Sequence, residues 1–160
     1  SPLIGGPSNV PCRRDDGQDY QSFTASHDGY VQRFGIVHER EVKLSGRGNT
    51  LNGRDSFLRP GGDPASNNGR DFVTVRFHIH PDIKLFKDDQ ERLVLTADNA
   101  DSWAFSCIEV SPEVEESIYF AGLGGPRISR QLVLAFKASQ HPEIHWQLTR
   151  TRTEGRSDRN

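Results

Sequence analysis

Three short groups of residues have the types and spacing to do chemistry. The first is His38-Glu39-Arg40. On an extended strand, residues two apart share a face, so His38 and Arg40 point one way and Glu39 the other. An arginine fork holds a carboxylate or sulfate by two hydrogen bonds, and a neighbouring histidine titrates near neutral pH as donor, acceptor or base. That pair suits an anionic sugar. The same arginine could instead be satisfied inside the protein by a carboxylate such as Asp55 on an adjacent strand, because buried charges are commonly paired. Both readings stay open at this point.

The second group, His27-Asp28-Gly29-Tyr30, surrounds an Asp-Gly dipeptide that favours a two-residue turn, since glycine accepts positive φ without strain. The turn accounts for Asp28 and Gly29 but requires neither His27 nor Tyr30. Those two are either cross-strand packing or a pair able to handle protons. The third group, His78-Ile79-His80, places two histidines on one face of a strand, where they could share a metal ion. Asp82 follows, but positions 84 and 85, where a further acidic ligand would be wanted, hold Lys84 and Leu85. The preferred reading puts Arg76, His78 and His80 on the polar outer face of a strand. No metal and no cofactor are assigned.

Other signals are excluded on spacing. The run Gly122-Leu123-Gly124-Gly125-Pro126 lacks the strand-to-helix setting that seats a phosphate. No serine stands in a Gly-x-Ser-x-Gly elbow. Cys107 lies in an apolar run and reads as core.

The elements that must position these groups are strands. Runs rich in Val, Ile, Phe, Tyr and Thr, broken by Gly, Pro, Asn and Asp clusters, fall at residues 21–26, 31–45, 49–58, 72–80, 92–97, 102–110, 116–120, 128–138 and 143–149. No long helix is evident. Val73, Val75, Phe77 and Ile79 share one face of their strand, as do Ile144, Trp146 and Leu148 of theirs. Half-apolar strands without helices must bury those faces in a sandwich or a barrel, and of the two an all-β antiparallel sandwich is expected. The Gly/Pro/Asn-rich stretch 59–70 is expected to be an exposed loop that could flank a ligand cleft.

Composition sets outer bounds. With 20 Lys and Arg against 22 Asp and Glu, interspersed, nothing points to nucleic acid. No apolar run approaches the ~20 residues of a membrane span, and the first residues lack the pattern of a secretion signal. The absence of methionine leads us to expect a fragment or a processed product. Cys12 and Cys107, two cysteines far apart, demand no disulfide framework. One domain over residues 1–150 is expected, with 151–160 a disordered tail because that stretch has almost nothing apolar to anchor it.

Taken in order, His27-Asp28-Gly29-Tyr30, Phe34-Gly35, His38-x-Arg40, Leu51-x-Gly53-x-Asp55 and Arg76-Phe77-His78-Ile79-His80-Pro81 resemble the C-terminal region of the bacterial heparinase II/III-like polysaccharide lyases. Trp103-x-Phe105, Glu116-Ser117-x-Tyr119, Gln131-x-Val133-Leu134 and Trp146 look like the later strands of the same region. The resemblance extends over about residues 26–150.

That resemblance implies a β-sandwich that supports an N-terminal α/α toroid, with an acidic, uronate-containing polysaccharide bound between them. The implied reaction is β-elimination, in which the uronate carboxylate is neutralised, a base removes the adjacent ring proton and an acid protonates the leaving oxygen. The usual catalytic groups come largely from the toroid, so catalytic residues are not assigned here and this chain alone is expected to be inactive. His27, Tyr30, His38 and Arg40 are the expected substrate-binding residues. The family's zinc motif is expected upstream of Ser1, and His78 and His80 are not carried over as ligands. The implied location is the periplasm or cell envelope of a bacterium. The alternatives are a non-catalytic carbohydrate-binding or structural sandwich, or a metalloenzyme built on the histidine pair. A sandwich parted from its toroid would expose edge strands and apolar faces, so self-association or poor solubility is expected.

Overall fold

The computed structural model describes residues 9–98, 101–120 and 124–151. Eleven strands account for nearly all regular structure among them: β1 (Cys12–Asp16), β2 (Tyr20–His27), β3 (Val37–Ser45), β4 (Thr50–Leu58), β5 (Phe72–Ile79), β6 (Lys84–Lys87), β7 (Leu93–Thr96), β8 (Ser102–Cys107), β9 (Glu113–Tyr119), β10 (Arg127–Lys137) and β11 (Glu143–Thr151). They form an eight-stranded sheet in the order β1-β2-β3-β4-β11-β8-β7-β6 and a three-stranded sheet in the order β5-β10-β9. Every pairing is antiparallel. The expected all-β sandwich is therefore the fold.

Alternation builds the core as the sequence suggested. Val75 and Ile79 of β5 are buried, with Val73 and Phe77 packed against the same cluster, and they face Ile144 and Trp146 of β11 across the sandwich. Leu132, Leu134 and Phe136 of β10 complete the small sheet's inner face. Large rings bridge the layers: Phe77 meets both Phe105 and Trp146, with centroids 5.2 and 5.0 Å away.

Two strands lie outside the sequence expectation. All five residues of β1 (Cys-Arg-Arg-Asp-Asp) are exposed, so it has no apolar face to read and is held by its backbone ladder to β2. In β6 only Leu85 is buried. Both are edge strands, where charge is favoured because it discourages pairing with other chains.

A further correction concerns the connection from β2 to β3. It is not the two-residue Asp-Gly turn, and the strand expected over 31–45 does not begin at 31. Instead Val31 N–H bonds the Asp28 carbonyl at 2.9 Å, and a single helical turn, α1 (Val31–Phe34), follows. Gly35, at φ 67°, closes that turn by donating its N–H to the Val31 carbonyl. Only glycine takes this left-handed conformation at little cost, so Gly35 is what redirects the chain into β3. The register still sets His27 opposite His38. The sequence stretch 59–70 does form a largely exposed loop, closed at its base by a bridge between Leu58 and Pro64. Of the expected tail, residues 152–160 lie outside the described residues, while Thr151 belongs to β11.

Candidate functional site

The inner face of β4 carries Leu51, Gly53, Asp55 and Phe57, so the two-residue alternation places one carboxylate in an otherwise apolar row. Asp55 is fully buried. Its register partner on β3 is Arg40, which donates from Nε to Oδ1 at 2.7 Å and from Nη2 to Oδ2 at 3.0 Å. His38 Nε2 meets Oδ1 at 2.7 Å, and the Trp146 indole N–H donates to Oδ2 at 2.8 Å. Burial alone would push this carboxyl up. The hydrogen bonds from His38, Arg40 and Trp146 outweigh it and hold Asp55 below the ordinary carboxylate range.

From Asp55 the polar line runs outward. His38 Nδ1 lies 3.1 Å from His27 Nε2, and the two rings pack edge to face. His38 is stacked flat on Phe57, with centroids 4.9 Å apart and planes 1° apart, which locks its orientation. His27 in turn packs against Tyr30, whose ring is followed by Phe34 of α1. Burial first, and then the neighbouring His38, lower the pKa of His27 from its ordinary value.

This line ends in a cavity of about 420 Å³. Its walls come from the β2–β3 connection (Tyr30, Phe34, Ile36), from β2, β3 and β4 (His27, His38, Arg40, Phe57), from β5 (Phe72 to Arg76), and from Arg70, two residues before that strand. Three arginines and two histidines line it, and no carboxylate does among the described residues. Arg40 is committed to Asp55 through Nε and Nη2, and its guanidinium lies over Phe77 and Trp146 at 5.2 and 5.7 Å. Arg70 and Arg76, by contrast, have no ion-pair partner among the described residues. In a chain of net charge -2, they give this cavity a local positive potential.

The four residues expected to bind substrate are thus brought together on one cavity. Of the two readings left open for Arg40, the internal pair with Asp55 is the one formed. Glu39, on the opposite face, joins Glu41 and Glu143 around Arg54, at 3.0, 3.1 and 2.9 Å. Sequence reasoning did not find the hub role of Asp55, the Trp146 donor, or Arg70 and Arg76. The legible signal for Asp55 was an acid at an inward position of an apolar alternation.

His78 and His80 do not line this cavity: His78 is exposed on β5, and His80, also exposed, directly follows that strand. His80 packs on Tyr119 and sits 3.5 Å from Asp82. Among the described residues no group of three or more His, Cys, Asp or Glu side chains is placed to hold a metal. Among the described residues no helix is long and apolar enough to cross a membrane. Cys107 is half-buried and packs against the core, and burial pushes its thiol up.

Comparison with known proteins gives this geometry its lineage. A family profile described as Heparinase II/III-like, C-terminal, matches residues 5–147. The chain belongs to the heparinase II/III-like family. Two solved structures share the fold of this heparinase II/III-like domain. One is the heparan sulfate lyase HepC of Pedobacter heparinus, with TM-score 0.66, 12% identity, and coverage of 90% of this chain and 22% of that one. The other is described as the heparinase III BT4657 gene product, with TM-score 0.65, 8% identity and the same coverage of 90% and 22%. In sequence, the domain is 30% identical over 157 residues to the FtsZ-localized protein C of Caulobacter vibrioides, covering 92% of this chain and 26% of that protein. The chain therefore spans about a quarter of the length of the relatives it matches.

Proposed function

We propose that this heparinase II/III-like domain is the β-sandwich part of a polysaccharide lyase, and that it supports an N-terminal toroid and binds an acidic, uronate-containing chain in the cavity beside His27. The observation that carries this reading is the lining itself: arginines and histidines with no carboxylate among the described residues, next to exposed aromatic rings. Arg70 and Arg76 are suited to a carboxylate or sulfate, and Tyr30 and Phe34 offer faces for sugar rings. In β-elimination a cation beside the uronate carboxylate stabilises the charge that develops when the ring proton leaves. The periplasm or cell envelope, as the place of such a polymer, belongs to the same proposal.

The test is ultraviolet absorbance of the unsaturated uronate product, with the full-length protein and this chain incubated separately with a panel of acidic polysaccharides. Product from the full-length protein alone supports an auxiliary sandwich in an active lyase. The second reading is a non-catalytic carbohydrate-binding or structural module, favoured by the relative named for its localisation to FtsZ and not for a reaction. No product from either protein, with this chain retained on an acidic-sugar column, would establish the binding module in place of the lyase.

A further inference from the structure

The contacts along the line from Asp55 to His27 define one consistent set of donors and acceptors when each histidine carries a single proton. Asp55 takes four contacts at its two oxygens, two from Arg40 and one each from Trp146 and His38. An ionised carboxylate only accepts, so His38 Nε2 carries the proton. With that one proton on His38, its Nδ1 offers a lone pair, and the 3.1 Å contact is then completed by a proton on His27 Nε2. That leaves His27 Nδ1 as an acceptor. This atom is buried and has no hydrogen-bond partner among the described residues, although its ring lines the cavity. A buried acceptor without a donor is disfavoured, and a small hydroxyl or a water would relieve it.

We propose that Asp55, His38 and His27 form a proton relay whose entry atom is His27 Nδ1, serving a hydroxyl or water held in the cavity. As a relay for a ligand it rests on the reading of the cavity given above. In the resting state Nδ1 accepts a hydrogen bond from that hydroxyl. When the donor gives up its proton, a new N–H bond forms at His27 Nδ1 and the donor oxygen keeps the electron pair. The proton already on His27 Nε2 passes to His38 Nδ1. His27 ends neutral, with its proton on the other nitrogen, and His38 ends doubly protonated at 2.7 Å from the Asp55 carboxylate. The positive charge thus comes to rest beside the buried Asp55 carboxylate, which it shares with Arg40.

The charged and titratable groups around His27 are consistent with this direction. Arg40 and His38 come from β3, Asp55 from β4, Arg70 and Arg76 from β5 and the residues before it, and Asp28 and Tyr30 from its own connection. Of these groups, Asp55 is the buried negative charge, and it touches His38, not His27. His38 and Asp55 are positioning residues here, because they act through His27.

The test is nitrogen NMR of protein labelled with 15N-histidine, titrated from mildly alkaline to mildly acid pH without polysaccharide. At the alkaline end both rings are expected as Nε2–H tautomers, with His27 Nδ1 at the shift of an unprotonated imidazole nitrogen. On acidification, that resonance moves to the protonated position in the same step in which His38 gains its second proton. His27 found with its proton on Nδ1 at the alkaline end, or becoming doubly protonated while His38 stays neutral, overturns the relay. His38→Phe keeps the stack on Phe57 but breaks the line, so His27 is expected to lose its single tautomer. An unchanged His27 tautomer in that variant also overturns it. If the variant does not fold, the titration of the unmodified protein decides alone. Because no sugar is present, the relay and the lyase reading can fail separately.

Discussion

Trp146 lies flat over Gly53. The two are register partners on β11 and β4, and a β-carbon at Gly53 would stand 1.9 Å from Cε2 of the indole. From that position the indole N–H reaches Asp55 Oδ2 at 2.8 Å. A glycine on one strand is therefore what lets a ring from the next strand cross it and supply a donor to a buried carboxylate two residues further on.

Gly53→Ala should accordingly destabilise the fold, by at least about 1–3 kcal/mol for the overpacking alone. Trp146→Phe keeps a ring in the slot but removes the donor, at a cost of about 1–3 kcal/mol. Urea denaturation followed by circular dichroism measures both. A Gly53→Ala midpoint equal to that of the unmodified protein would mean the slot is not closed by Trp146.

Asp55 also predicts a pH dependence. Burial acts to raise its carboxyl, but His38, Arg40 and Trp146 bring it below the unfolded value of 3.8. Between the folded and unfolded values the unfolded chain binds more protons, so stability rises with pH through that window. The contribution is complete above the ordinary carboxylate range and is lost as pH falls through the folded value. Asp55→Asn should cost about 3–5 kcal/mol at neutral pH, as expected when one partner of a buried ionic cluster is removed. It should also flatten the acid limb of the stability curve. Denaturant midpoints across the acid range check this, and an acid limb unchanged in Asp55→Asn would assign the dependence to other carboxylates.

How far the sequence could be read depended on whether a feature was local. The inward sets of β5 and β11 were legible because alternation is written within one strand. β1 and β6 were not, because their residues are mostly exposed and show no apolar alternation. Asp28-Gly29 looked like a tight hairpin, yet the left-handed Gly35 six residues on ends a helical turn and sets the true connection. His38 and Arg40 could be placed on one face from spacing alone. That Arg40 turns to Asp55 follows from strand register, and the Trp146 donor comes from 91 residues away in sequence.

Arg70 and Arg76 predict a separation of binding from stability. Neither has an ion-pair partner among the described residues, so the double substitution to alanine should leave the unfolding free energy within about 0.5 kcal/mol. Each charged hydrogen bond lost to an acidic sugar is worth about 1.5–3 kcal/mol, or roughly tenfold or more in affinity. Elution from an acidic-polysaccharide column should move to much lower salt, whereas Arg13→Ala on the exposed β1 should not move it. Equal shifts from both changes would indicate only a diffuse charge effect.

Ile118 on β9 and Ile128 on β10 are cross-strand partners, yet they are 58% and 78% exposed, and Phe120 beside them is 76% exposed. Such an apolar cluster is disfavoured in water and drives association. The free edge of β9 carries Glu113, Glu115 and Glu116, and like charges oppose strand-to-strand pairing there. Self-association should therefore proceed through the apolar face and not the edge. Sedimentation velocity should show a concentration-dependent increase in mass that Ile118→Lys with Ile128→Lys suppresses, with little change in the unfolding midpoint because neither side chain is in the core. A protein that is monomeric at every concentration, or a double variant that associates as before, would show that this face is tolerated in water without a partner.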